Sequence, residues 1–184
     1  MKRILVLVDC QNDFITGSLE NVEAQTAVPR IVEKVKSFNG DMIIVTQDTH
    51  WNGYLNTPEG QKLPVEHCID GTWGWEIEPE INKAVLESVE RNVRIMHISK
   101  NTFGSRQLME MLTSECGYGD PELHQIEFVG FCTDICVVSN ALLAKAAVYN
   151  TSEILVDSSC CAGVTPELHE KALDVMRSCQ ITVY

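Results

Sequence analysis

Basic residues are scarce in this chain: 14 Lys and Arg stand against 26 Asp and Glu, a net charge of −12 at pH 7. Nucleic acid and anionic membrane surfaces both reward basic patches, so neither is an expected partner. No apolar run approaches the roughly 20 residues of a membrane-spanning helix. The opening MKRILVLVDC reaches Asp9 without a small-residue cleavage site, so it reads as a first strand rather than a signal peptide. Internal repeats and linker-like tracts are absent, and 184 residues suit one domain over 1–184. There is no C-x-x-C pair among the eight cysteines at 10, 68, 116, 132, 136, 160, 161 and 179. A secreted disulfide scaffold is usually shorter and poorer in regular patterns, so most of these are expected as small buried residues in a reducing cytoplasm.

What is present is a regular alternation of strand and helix. Residues 2–8, KRILVLV, form an apolar run suited to a strand buried on both faces. Helical spacing follows over 23–38, and 41–46, DMIIVT, is a second buried strand. A short helix over 80–89, strands at 93–99 and 126–129, and a helix over 106–115 capped by Ser105 and closed by Gly117 come next. A small-residue helix spans 134–149, then a strand 153–156, a helix 166–178 opened by Thr165-Pro166, and a closing strand 181–184. The expected fold class is α/β: a three-layer αβα sandwich around a six-stranded parallel sheet. Residues 51–77, with three tryptophans, four glycines and two prolines, are the longest irregular stretch, and long loops in compact domains are usually functional.

In open parallel sheets the binding crevice lies outside the carboxyl ends of the strands. Asp9, Asp48, Lys100 and the Cys132–Cys136 turn all fall there. Cys136 opens a helix, where the positive end of the macrodipole favours a thiolate, and is the candidate nucleophile. Asp9 fits a general base at a strand end, and equally an Asx turn or a cap. Lys100 fits an active-site cation, and equally a solvated lysine. Together they make a nucleophilic Cys-Asp-Lys site. Asp48 and His50, two apart in extended backbone, point the same way, and with His67 they offer oxygen and nitrogen ligands to a borderline divalent metal such as Zn²⁺. Cys68 is expected buried rather than ligating, and His97, His124 and His169 structural or exposed. Phe14 with Trp51, Trp73 and Trp75 can wall an aromatic pocket or simply lie over the core.

Several segments together resemble one family. VDCQNDF at 8–14 with GSL at 17–19, TQDTHW at 46–51, LPVEHCIDGTWGWEI at 63–77, SKNTFGS at 99–105 and VGFCTDICVVSNA at 129–141 are similar to the isochorismatase-like cysteine hydrolases, and most of all to the nicotinamidases. The resemblance implies the isochorismatase-like hydrolase fold and a catalytic triad of Asp9, Lys100 and Cys136. It implies a cis peptide between Phe131 and Cys132, and an oxyanion hole from the backbone of Cys132 and Cys136. Asp48, His50 and His67 match the family's metal ligands, for Zn²⁺ in the first place and Mn²⁺ or Fe²⁺ otherwise. Phe14 with an aromatic from Trp73–Trp75 would hold the substrate ring. The implied activity is a cytoplasmic, homo-oligomeric amidase converting nicotinamide to nicotinate and ammonia through a thioester. Where nicotinamidases commonly carry His-Pro, this chain has His50-Trp51, so a related hydrolase of another small amide or carbamoyl compound, with weak or no metal, is the alternative. Isochorismatases proper lack the cysteine. A non-catalytic ligand-binding domain with redox cysteines is the reading from another class.

Overall fold

The computed structural model describes residues 1–116, 122–148, 150 and 152–184. Its centre is a sheet of six strands: β1 (Arg3–Val8), β2 (Met42–Asp48), β3 (Arg94–Lys100), β4 (Gln125–Phe131), β5 (Glu153–Ala162) and β6 (Thr182–Val183). All pairings are parallel, in the order β3-β2-β1-β4-β5-β6. Helices α1 (Asn12–Ile15), α2 (Val22–Ser37), α3 (Pro79–Glu87), α4 (Arg106–Cys116), α5 (Val138–Ala147) and α6 (Pro166–Ser178) connect the strands.

The period of two along each strand sorts the core into layers. Leu5 and Leu7 of β1 and Ile43 and Val45 of β2 pack with Ala27, Ile31 and Val35 of α2 and Ile81 and Ala84 of α3. Ile4, Val6, Val8 and Ile44 point to the other face, against Leu108 and Leu112 of α4, Ala141 and Ala144 of α5, and Leu173 and Met176 of α6. Side-chain caps start the helices: Asn21 Oδ1 accepts from Ala24 N, Ser105 Oγ from Leu108 N, and Thr165 Oγ1 from Leu168 N. No described helix is long and apolar enough to cross a membrane.

The structure differs from the pattern-based expectation in three places. Residues 12–15 form one helical turn where a loop is expected. β5 runs on to Ala162 instead of ending at Val156, because a register shift opposite Phe128–Gly130 absorbs the polar 157–159 stretch. The helix expected over 134–149 begins as a π-helical turn, Thr133–Val137, and only then becomes α5. The expected ends Gly117 and Tyr149 lie outside the described residues.

Strand order reverses between β1 and β4: the chain steps from β1 outward to β2 and β3, then returns to the other side of β1. The crevice of a parallel sheet forms at such a switch point. Gly130 lets the two strands close up there. Its φ is +120°, and a Cβ on it would meet Val8 O at 2.1 Å. Gly130→Ala should therefore destabilise the fold by more than about 2 kcal/mol in urea unfolding. A variant within about 0.5 kcal/mol of the parent would show that β1 and β4 need no such approach.

Candidate active site

Asp9 follows β1 directly, at φ 50° in the left-handed region. Neighbouring β2 holds it there: Asp9 N donates to Thr46 O at 3.1 Å, and Thr46 Oγ1 donates to Asp9 Oδ1 at 2.7 Å. Lys100 ends β3 and reaches across β2. Its Nζ lies 2.6 Å from Asp9 Oδ2, 3.5 Å from Cys136 Sγ and 3.7 Å from Asp48 Oδ1. The Lys100 and Asp9 side chains are 2% and 0% exposed, so this ion pair is almost free of solvent screening. The Phe131–Cys132 peptide bond is cis, and Cys136 sits in the π turn beyond it, buried beside the pair.

Burial dominates the protonation states. It pushes the Asp9 carboxyl above the ordinary carboxylate value, with the Asp48 charge adding to this and Lys100 and Thr46 opposing it. Burial works against the Lys100 ammonium, but Asp9, Cys136 and Asp48 hold it above an ordinary lysine. Cys136 is raised well above an ordinary thiol, first by burial and then by the Asp9 carboxylate, which Lys100 only partly offsets. The thiolate favoured at an exposed helix start is thus opposed here, first by burial of the sulfur and then by the Asp9 carboxylate beside it. The arrangement sets a raised thiol beside a buried carboxyl and a fixed cation.

Asp48, His50 and His67 come together beside this group. One ligand atom from each lies within 4.8 Å of the others, and all three residues are buried. Asp48 Oδ2 is 3.0 Å from His50 Nε2 and 3.4 Å from His67 Nε2. His67 Nδ1 donates to Val65 O at 2.9 Å, which leaves Nε2 to face the centre. Its ring packs edge-on between Phe14 and Tyr54. Burial alone would raise the Asp48 carboxyl, but hydrogen bonds from the two histidines and the Lys100 charge hold it far below the usual range. A carboxylate oxygen with two imidazole nitrogens suits a borderline divalent cation. Glu59, unremarked in the sequence because it lies in the loop between His50 and His67, brings Oε1 to 3.7 Å from His50 Nε2.

A cavity of about 750 Å³ opens over these groups. Phe14, Asp48, His67, Cys132 and Cys136 line its floor side, and Leu19, Leu63, Phe103 and Val164 also line it. Trp73 and Trp75, expected as substrate contacts, do not line it. Asn12 Nδ2 donates to the Trp73 carbonyl and Gln11 Nε2 to the Trp75 carbonyl, which ties this turn to the start of α1. Trp73 is 56% exposed, and Trp75 donates from Nε1 to Thr49 Oγ1 and lines a separate surface groove. Trp51 is likewise exposed.

Several supporting residues carried no sequence signal that separates them from ordinary loop polar groups. Gln11 clips β2 by accepting from Asp48 N at 2.7 Å and donating to Asp48 O at 2.8 Å. Asp13 accepts from Ser18 N and from Cys68 N, at 2.9 and 2.7 Å, and so fixes the backbone next to His67. Cys68 is buried, with its thiol pushed up by burial and by Asp48. Cys132 is pushed up to about 12, by burial and then by Asp134. Cys10, Cys116, Cys160 and Cys161 are buried as expected, whereas Cys179 is exposed because it caps α6 at its solvent end. His97 is exposed on the edge strand, His124 accepts from Lys2 N, and His169 pairs with Thr133 Oγ1 at 2.8 Å.

The sequence model of the Isochorismatase domain matches residues 3–184. The nicotinamidase/pyrazinamidase of Mycobacterium tuberculosis is 27% identical over 195 residues, covering 97% of this chain and 96% of that protein. Among solved structures, the nicotinamidase/pyrazinamidase PncA from Bacillus subtilis superposes with a TM-score of 0.83 at 25% identity, covering 100% of this chain and 99% of that one. The pyrazinamidase of Pyrococcus horikoshii, solved in complex with zinc, shares the fold at a TM-score of 0.75 and 24% identity, over 100% and 99% of the two chains. With a match that runs from the first strand to the last residue, the chain belongs to the isochorismatase family.

Proposed function

We propose that this protein is a cysteine-dependent amidohydrolase that converts nicotinamide to nicotinate and ammonia. The observation that carries the reading is the buried Asp9–Lys100–Cys136 group, whose cysteine lines a cavity together with Asp48 and His67 of the neighbouring Asp48–His50–His67 cluster. The activity of the Mycobacterium tuberculosis and Bacillus subtilis relatives supports the substrate.

In this mechanism Asp9 takes the Cys136 thiol proton as Sγ attacks the amide carbonyl carbon. Lys100 holds the developing negative charge in place between Asp9 and the sulfur. The carbonyl oxygen becomes an oxyanion, received by the backbone N–H groups of Cys132 and Cys136. Asp9 then delivers its proton to the amide nitrogen, the C–N bond breaks, and ammonia leaves a thioester on Cys136. Water attacks the thioester with Asp9 as base, and collapse of the adduct expels the sulfur, which recovers the proton from Asp9. Phe14, in contact with the His67 ring, supplies an aromatic wall for the substrate ring.

Asp48, His50 and His67 would hold a divalent metal, Zn²⁺ in the first place with Mn²⁺ or Fe²⁺ as substitutes, and Glu59 adds a further oxygen. A metal held there would supply Lewis acidity at the cavity wall, toward a ring nitrogen of the substrate as donor. The same reading places the enzyme in the cytoplasm, where its eight cysteines, all free in the structure, stay reduced, as a homo-oligomer of single-domain subunits. Hydrolysis of another small amide or carbamoyl compound is the second reading, favoured by a cavity roomier than one pyridine ring needs.

Ammonia release from nicotinamide tests the reading directly. Cys136→Ala should lower kcat/KM by at least about 10³-fold, and retention of full activity would remove the cysteine from the mechanism. Asp9 must be ionised to act and its carboxyl is raised. The acid limb of kcat/KM against pH should therefore fall as pH drops through a value above the ordinary 3.8, and a limb at or below 3.8 would contradict Asp9 as the base. Metal removal by a chelator should cost about tenfold or more in kcat/KM, restored by added Zn²⁺ and not restorable in His67→Ala. Undiminished turnover without metal would favour the second reading.

A further inference from the structure

The cavity over Cys136 is large for a single-ring amide. Its volume of about 750 Å³ falls within the range of roughly 300–1,000 Å³ that encloses much bulkier ligands. One wall is Phe103, 48% exposed, on the segment 101–105 between β3 and α4. This segment forms no helix or strand, and a side chain of α5 hydrogen-bonds it at two points. Asn140 of α5 is fully buried. Its Nδ2 donates to Phe103 O at 3.0 Å and to Cys136 O at 2.8 Å, and its Oδ1 accepts from Ser105 N at 2.8 Å. Both amide hydrogens and the amide oxygen are therefore engaged. The segment also lies hard against α5: a Cβ on Gly104 would come 2.6 Å from Leu143 Cδ1. Thr102 Oγ1 closes its turn by donating to Gly104 O at 2.7 Å. A single buried amide thus joins the carbonyl of Cys136 to two points on the segment that carries Phe103.

We infer that Phe103 is a specificity-determining residue that limits the size of the substrate's ring substituents, and that Asn140 is the positioning residue that sets how far this wall stands from the Cys136 thiol. The substrate part rests on the amidase reading; the geometric part does not. Loss of the Asn140 amide would remove this partner from the Phe103 and Cys136 carbonyls and from Ser105 N–H, the last two in buried surroundings. The segment would relieve them by moving toward water, and Phe103 would move with it.

The test reads the wall in two ways. One is the rate ratio at Cys136, followed by mass spectrometry, for alkylation by bulky N-phenyl iodoacetamide against iodoacetamide. The other is the ratio of kcat/KM for a nicotinamide bearing a bulky apolar ring substituent against nicotinamide itself. Phe103→Ala should raise both bulky-to-small ratios by about tenfold or more. Asn140→Asp, which keeps the shape and the acceptor but cannot donate to both carbonyls, should shift the ratios in the same direction, and should add nothing in the Phe103→Ala background. If Asn140→Asp does not accumulate as folded protein, Asn140→Ser is measured instead. Unchanged ratios in Phe103→Ala would overturn the selective role of Phe103. An Asn140 effect equally large in both backgrounds would overturn its action through Phe103, since a merely structural role lowers stability without setting a size ratio. If nicotinamide is not hydrolysed while the alkylation ratios shift as expected, the amidase reading fails and the wall stands. If nicotinamide is turned over while both ratios stay flat, the amidase reading stands and the wall fails.

Discussion

The contact on which the site depends is the buried ion pair between Lys100 and Asp9. Two opposite charges without solvent are costly to assemble, and their mutual attraction repays the desolvation only when geometry and further hydrogen bonds are good. Here Thr46 saturates one carboxylate oxygen while Lys100 faces the other. The two residues come from β1 and β3 and meet across β2, so the pair exists only when all three strands are in register. The site and the parallel sheet are in that sense one structure. The sulfur of Cys136 is delivered to the pair from the opposite side of the switch point, by β4 and the turn that follows it.

Burial is the first reason the Cys136 thiol is raised above an ordinary one. A solvent-exposed cysteine at a helix start would lean toward thiolate, because the dipole acts and no desolvation opposes it. Cys136 is 5% exposed and shares its surroundings with two carboxylates and one ammonium. Local charge there is already negative, so a further anion is disfavoured until a proton has somewhere to go. Asp9, lifted by the same burial, is the acceptor within reach. The proposed chemistry therefore follows from how the site excludes water.

Much of the architecture was legible because parallel sheets impose simple rules. Apolar runs such as 2–8 and 41–46 mark strands covered on both faces, and all parallel strands end on one edge, which brings Asp9, Asp48 and Lys100 together without any knowledge of loops. Ser105 and Thr165 could be read as caps because a capping side chain acts within three residues. Long-range selections were not legible. Asn140 looks like one more polar residue in a helix until its partners, more than thirty residues away, are known. Trp73 and Trp75 looked like pocket walls because aromatic loops often are. In the structure Trp73 is exposed and Trp75 turns to Thr49 and a separate groove, which depends on long-range contacts. The π turn at Thr133–Val137 has the same composition as a regular first turn, so no periodicity marks it.

Asp48 stands on both sides of the molecule's chemistry. Its Oδ2 faces His50 and His67, while its Oδ1 is 3.7 Å from the Lys100 ammonium. Whatever occupies the histidine side draws electron density from the same carboxylate that helps to hold the lysine charged. The ligand cluster and the nucleophilic group are thus coupled through one residue, and a mutational path that retunes either must pass through the other.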